Sequence, residues 1–101
     1  MTISEIKERL KDNGIEFDLM TLRRRIDTYI SYPTRNQKNN RRDITQEEFK
    51  TLLLSLALEI KGIDKKDIEN YLNGKSPKSE LMNLIVDSNK VDEIIKRWIE
   101  E

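Results

Sequence analysis

The placement of glycine constrains this chain more than any other feature, because only three glycines occur and each follows a segment with helical periodicity. Gly14, Gly62 and Gly74 all end such a segment, and glycine takes the left-handed conformation found after a helix C-terminus at low cost. Polar residues that favour a helix N-cap precede the helical segments: Thr2, Asp18, Thr45 and Asp64. The pattern predicts a mainly α fold built from short helices with tight turns.

The first thirty residues carry two short amphipathic patterns. One runs from Ser4 to Asp12 and the other from Leu19 to Tyr29, and apolar residues recur three or four positions apart in both. Two short helices joined by a turn that contains glycine form the helix-turn-helix pattern. We therefore expect the second helix to be a recognition helix, with Leu22 and Ile26 facing the core.

The segment Ser31–Ile44 interrupts the helical pattern. Pro33 forbids helix and pushes Tyr32 towards an extended conformation, and the asparagines that follow favour turns. We interpret the segment as a two-stranded β-hairpin, with strands near Ile30–Thr34 and Arg41–Ile44, that forms the wing of a winged helix-turn-helix. A disordered loop is the alternative.

Two further helices are expected after this segment. Thr45 and Glu48 form a capping-box pattern before a dense apolar stripe, so we place a helix from Gln46 to Lys61. A shorter helix follows Asp64. These elements complete a first unit over residues 1–74, and residues 75–101 form a C-terminal helical segment.

Six residues of this C-terminal segment, five of them apolar and the polar one being Ser88, fall alternately three and four apart, as in a coiled-coil seam: Leu81, Leu84, Ser88, Val91, Ile95 and Trp98. An unbroken helix from Pro77 to Glu100, with Ser76 as its N-cap, would carry this seam, and we favour it over a break at Asp87-Ser88-Asn89. The seam predicts a homodimer in which two copies pack antiparallel. The alternative is that the helix folds back on its own domain.

The composition excludes several kinds of chemistry. The 101 residues include no His and no Cys, so Ser-His and Cys-His nucleophile pairs and imidazole or thiolate metal sites are absent. No glycine-rich phosphate loop occurs, and we expect neither an enzyme nor a cofactor. No segment reaches the ~18 apolar residues of a membrane span. The start lacks the basic end and apolar run of a secretory signal, so we expect a cytoplasmic protein.

Charge is unevenly distributed, although 19 basic and 19 acidic residues cancel. Residues 21–42 hold seven basic residues against Asp27 alone, whereas the segments on both sides are net acidic. Attraction to phosphate depends on such a local patch, because charges are screened beyond about 8–10 Å. The pattern predicts binding of double-stranded DNA through the second helix and the segment that follows it.

Several short motifs follow one another over roughly residues 2–74: Ile3-Ser4-Glu5-Ile6, Gly14-Ile15, Thr21-Leu22-Arg23, Pro33, Arg35, Asn39-Asn40-Arg41-Arg42, Gly62-Ile63 and Tyr71-Leu72. In this order they resemble the MerR-type winged helix-turn-helix DNA-binding domain. The resemblance implies a homodimer that places the second helix in the major groove and the wing on the flanking backbone. The chain has neither the cysteine loop nor the ligand domain of that family's sensors, so no small-molecule effector is expected.

The expected DNA contacts divide between base edges and phosphates. Side chains on the outward face of the second helix are expected to meet base edges: Thr21, Arg24 and Thr28. Basic side chains on its flanks and in the wing are expected to contact the DNA backbone, with a minor groove as the alternative for the wing: Arg23, Arg25, Arg35, Lys38, Arg41 and Arg42.

The sequence therefore predicts a sequence-specific DNA-binding protein associated with a nucleoid or plasmid. It would act as a transcription regulator or as an accessory factor of DNA segregation or excision. The alternative is a protein-interaction module of the same fold, such as an antirepressor or a phage or plasmid accessory factor, without specific DNA binding. Binding to random duplex DNA at low salt distinguishes the two.

Overall fold

The first two helices form as predicted. The computed structural model describes residues 2–30, 44–86 and 89–100, and its chain begins with α1 (Ile3–Asp12) and α2 (Leu19–Tyr29). The Thr2 hydroxyl accepts a hydrogen bond from the Glu5 backbone N–H at 3.3 Å. This contact satisfies one of the backbone donors left open at a helix N-terminus. The predicted cap of α1 and the bounds of α2 are confirmed.

The turn between α1 and α2 depends on glycine. Gly14 has a φ of 80°, and the next residue, Ile15, donates its backbone N–H to the Leu10 carbonyl at 2.8 Å. Ile15 is fully buried. A Cβ on Gly14 would also lie 3.4 Å from the Lys90 Cβ. The turn therefore ends α1 with a Schellman motif and brings Ile15 into the core.

The next two helices also follow their capping signals. α3 (Gln46–Ile60) begins with the predicted capping box, in which Thr45 and Glu48 bond to each other's backbone N–H groups at 3.2 Å and 3.0 Å. It ends where the Ile63 N–H reaches the Leu58 carbonyl at 3.0 Å. α4 (Lys65–Leu72) begins after Asp64. These predictions are confirmed to within one residue.

The prediction of an unbroken C-terminal helix is wrong. The chain forms a 3-10 helix over Lys78–Leu84, becomes extended at Ile85 (φ −85°, ψ 103°), and resumes as α5 (Lys90–Glu100). Pro77 stands before the 3-10 helix without a side-chain cap, so Ser76 does not have its predicted role. The Asn89 side chain accepts the Asp92 backbone N–H at 2.8 Å. Asn89 therefore starts a new helix, in agreement with the alternative of two helices.

The prediction of a β-hairpin wing is also corrected. The part of the chain that the structure describes contains helices and connections but no β-strand. Ile30 and Ile44, expected at the outer ends of the two strands, are instead buried against the helices at 4% and 2% exposure. Residues 31–43 lie outside the described residues. Over the residues that the structure describes, the fold is therefore helical and contains no part of the predicted wing.

α3 lies at the centre of the fold, since it packs against α2, α4 and α5, while α1 packs on α2 and the 3-10 helix on α5. The helices share one hydrophobic core, whose fully buried members include Ile6, Leu10, Ile15, Leu22, Ile26, Leu52, Leu56, Leu58, Ile68, Leu81 and Ile95. Residues on both sides of the predicted boundary at 74 contribute to this core.

Candidate nucleic-acid interface

The outward face of α2 is set by its buried face and by its N-cap. Leu22 and Ile26 are fully buried, which turns the opposite side of this helix to solvent. The Asp18 carboxylate accepts the Thr21 backbone N–H at 2.7 Å. This hydrogen bond is the main reason that the pKa of Asp18 lies below its usual value, and the nearby Lys7 adds to the effect. A charged cap thus stabilises the first turn of α2.

The three predicted base-contacting residues have different environments. Arg24 is exposed, and so is Thr28, but the Thr28 hydroxyl donates to the Arg24 backbone carbonyl at 2.9 Å. Thr21 is half-buried in the capped first turn. Of these three residues, Arg24 therefore has the side chain that is best placed to reach a base edge. Thr21 and Thr28 lie nearer the helix surface.

The two flanking arginines differ more sharply. Arg23 is exposed. The Arg25 Nε lies 2.9 Å from Glu59 Oε2 in an ion pair with α3, with the two side chains 21% and 15% exposed. In the described part of the chain, neither Arg23 nor Arg24 forms such a pair. Arg25 thus holds α2 against α3, and its contact with the DNA backbone stays a prediction.

A buried tyrosine adds to this contact between α2 and α3. Tyr29 is 7% exposed. Burial is the main reason that the pKa of its hydroxyl is raised, and the Glu59 carboxylate next to it raises the pKa further, while Arg25 acts in the opposite direction. The sequence analysis did not identify this cluster of Arg25, Tyr29 and Glu59. Its only sequence signal is that Arg25 lies on the flank of α2, beside the buried stripe.

The four predicted backbone contacts beyond α2 lie outside the described residues: Arg35, Lys38, Arg41 and Arg42. Their assignment to phosphate stays a prediction from the sequence.

A second basic feature lies beside the start of α2. Lys7 and Lys11, one turn apart on α1, line a surface cleft of about 350 Å³ together with Glu16, Phe17 and Asp18. The sequence analysis did not assign these lysines to the site, although their spacing places them on one face of α1. The two carboxylates in the cleft reduce its net charge. We therefore expect it to contribute less than Arg23 and Arg24 to the binding of an anionic partner.

The predicted dimer seam lies largely within the chain's own core. Leu81 and Ile95 are fully buried, and Leu84, Val91 and Trp98 are half-buried against the core. The two fully buried side chains have no surface to offer a second copy. Homodimerisation stays a prediction, and any interface would use the half-buried residues or another surface.

No protein-family model, no curated protein and no solved structure matches this chain. Among the described residues, no helix is both long and apolar enough to cross a membrane. The same residues contain no group of three carboxylates arranged to hold a metal ion.

Proposed function

We propose that this chain binds double-stranded DNA with α2 as its recognition helix. The observation that carries the proposal is the outward face of α2, where Arg23 and Arg24 are exposed and unpaired among the described residues. The helix that presents them is fixed by a buried stripe, a charged N-cap and the Arg25–Glu59 ion pair. A rigid helix with a basic outer face suits the major groove, which admits an α-helix.

The charge distribution of the sequence supports the same proposal. Seven of the 19 basic residues fall within residues 21–42, against one acidic residue. Most of the affinity for DNA comes from neutralising phosphates, so a local excess of cations matters more than the net charge of the chain. The basic residues after α2 would add phosphate contacts to those of the helix.

The two exposed arginines would act differently. Arg24 lies on the face opposite Leu22 and Ile26, and a guanidinium there can donate two hydrogen bonds to O6 and N7 of a guanine. Arg23 lies towards the flank, where phosphates line the groove, and phosphate contacts position the protein without reading sequence. Arg25 would contribute indirectly, by fixing the orientation of α2.

Selection of bound sequences from random duplex DNA tests the proposal. We expect enrichment of a short motif that contains guanine. An inverted repeat of this motif, together with a light-scattering mass of two chains, would support the predicted homodimer. A single copy of the motif, together with a mass of one chain, would contradict the homodimer. A chain that enriches no sequence and binds no duplex at low salt contradicts DNA binding and favours a protein-interaction module.

A matched pair of variants tests the assignment of Arg24. Arg24→Ala is expected to weaken binding to the selected site by about 5- to 150-fold and to relax the preference for guanine, since one bidentate contact is worth roughly 1–3 kcal/mol. Lys66→Ala removes the same charge from an exposed position on α4 and is the control. Equal affinities of the two variants for the selected site would show that Arg24 does not read a base.

A further inference from the structure

A surface groove runs between α3 and α5, and none of its described lining residues belongs to α2. It has a volume of about 290 Å³. We call it the α3–α5 groove, and the described residues that line it are Lys50, Leu53, Leu54, Ile94, Arg97 and Trp98. Its floor is apolar, because Leu54 and Ile94 are nearly fully buried and Leu53 and Trp98 are half-buried.

The cations of the groove collect at one end. An ion pair between Lys61 and Asp92 joins the end of α3 to the start of α5, so the two helices run antiparallel. Lys50, near the start of α3, and Arg97, near the end of α5, therefore lie at the same end of the groove.

A third cation strengthens this end. The Lys78 Nζ lies 4.6 Å from the centre of the Trp98 ring and 3.4 Å from the Trp98 carbonyl oxygen. An ammonium over an indole face is attracted by the ring quadrupole. The described residues that line the groove include no carboxylate. Glu47 lies about one turn from Lys50 on α3, and Glu93 and Glu100 each lie about one turn from Arg97 on α5. An apolar floor that ends in cations suits an occupant that is both apolar and acidic.

We propose that the α3–α5 groove binds an acidic amphipathic helix of a partner protein. Apolar anchors of that helix would lie on the floor formed by Leu53, Leu54 and Ile94, and would contact the Trp98 ring. Its carboxylates would meet Lys50 and Arg97. α5 has 11 residues and is therefore about 16 Å long, which matches a partner helix of about three turns. Anchors spaced i, i+4 and i+7 are typical of a helix in a groove.

Charge argues against a second copy of this chain as the occupant. In a two-fold contact centred on the groove, the same lining faces itself, and this lining contributes cations to both sides.

The groove and the proposed DNA-binding face are separate. Glu59, which pairs with Arg25 of α2, lies nine positions after Lys50, so at 3.6 residues per turn the two side chains leave α3 about 180° apart. The α3–α5 groove therefore stays open when α2 is occupied. The inference does not depend on DNA binding, and either proposal can fail without the other.

The chain's single tryptophan makes the test direct, because Trp98 lies in the groove. The probe is a library of three-turn helical peptides with leucine anchors at i, i+4 and i+7 and with the remaining positions varied among Glu, Lys and Gln. We expect the full-length chain to enrich Glu-rich members. These peptides should shift the Trp98 emission to saturation and bind more weakly as salt rises, because the contacts with Lys50 and Arg97 are screened.

Two charge-removing variants and one control complete the experiment. Lys50→Gln and Arg97→Gln are each expected to weaken the selected peptide by about 2- to 5-fold, the range for an exposed ion pair. Lys96→Gln, next to Arg97 but outside the lining, should leave affinity unchanged. Any of three results would overturn the proposal: enrichment of Lys-rich or uncharged peptides, failure of every peptide to shift the Trp98 emission, or equal effects of all three variants. Without peptide, the chain could have the mass of two chains, fall to the mass of one chain on dilution and change its Trp98 emission at the same time. This result would assign the groove to a second copy.

Discussion

The orientation of α2 depends on individual side chains at its contact with α3. Three consecutive arginines have two different environments: Arg23 and Arg24 face solvent, whereas Arg25 turns inward to Glu59. Periodicity predicted Arg24 on the outer face, and it placed Arg25 on a flank. A flanking side chain turns inward or outward according to its partner, and Glu59 lies 34 positions later in the sequence. Local pattern therefore could not assign Arg25.

Tyr29 makes this contact sensitive to alkaline pH. Its pKa is raised in the folded state by burial and by Glu59, so above a pH of about 10 the unfolded chain releases this proton while the folded chain keeps it. The folded state then binds more protons, and the free energy of unfolding falls as pH rises. Tyr29→Phe should flatten this fall between pH 9 and 11 in chemical denaturation experiments. An identical pH profile for the variant and the wild type would show that Tyr29 does not cause it.

The helices show how far sequence reasoning reaches at the scale of an element. α1 to α4 were predicted to within one residue, because caps such as Thr45 and glycines such as Gly62 act on their immediate neighbours. The C-terminal helix failed for the opposite reason. Its apolar spacing fits one long helix, but the chain leaves the helix at Ile85, and Asn89 caps the second part. Leu81 and Ile95, one on each side of this break, are both buried in the same core.

The capping box of α3 provides a test at this scale. Thr45→Ala should lower the free energy of unfolding by about 1 kcal/mol, the usual cost of losing an N-cap side chain. Thr51→Ala is the control, since the Thr51 hydroxyl only bonds back to the Glu47 carbonyl within the helix, at 3.2 Å, and alanine favours helix. Urea denaturation measures both. A loss at Thr51 as large as that at Thr45 would contradict the role of the cap.

On the scale of the whole molecule, α5 is part of the domain and not an appendage. It packs on α3, and Lys90 donates a hydrogen bond to the Asp12 carbonyl of α1 at 2.8 Å. The sequence favoured a dimer seam in the segment after residue 74, with folding back on the chain's own domain as the alternative. A short apolar seam has the same spacing whether it packs on its own core or on another copy. Only the tertiary contacts distinguish the two.

The attachment of α5 should depend strongly on Asp92. This carboxylate is 1% exposed and pairs with Lys61 at the end of α3. Asp92→Ala leaves a half-buried cation without its partner, which should cost on the order of 3 kcal/mol of stability. The control is Glu93→Ala, at the exposed neighbouring position, which should cost less than about 0.5 kcal/mol. Similar thermal midpoints for the two variants would contradict this account.

DNA binding through a local basic surface is the central claim, and one titration tests it most directly. The measurement is the fluorescence anisotropy of a labelled random duplex with the full-length chain, repeated from low to moderate salt. If about five phosphates are neutralised, log K should fall linearly with log salt at a slope of about −4 to −5. Absence of binding at the lowest salt, or an affinity that does not change with salt, would contradict the claim.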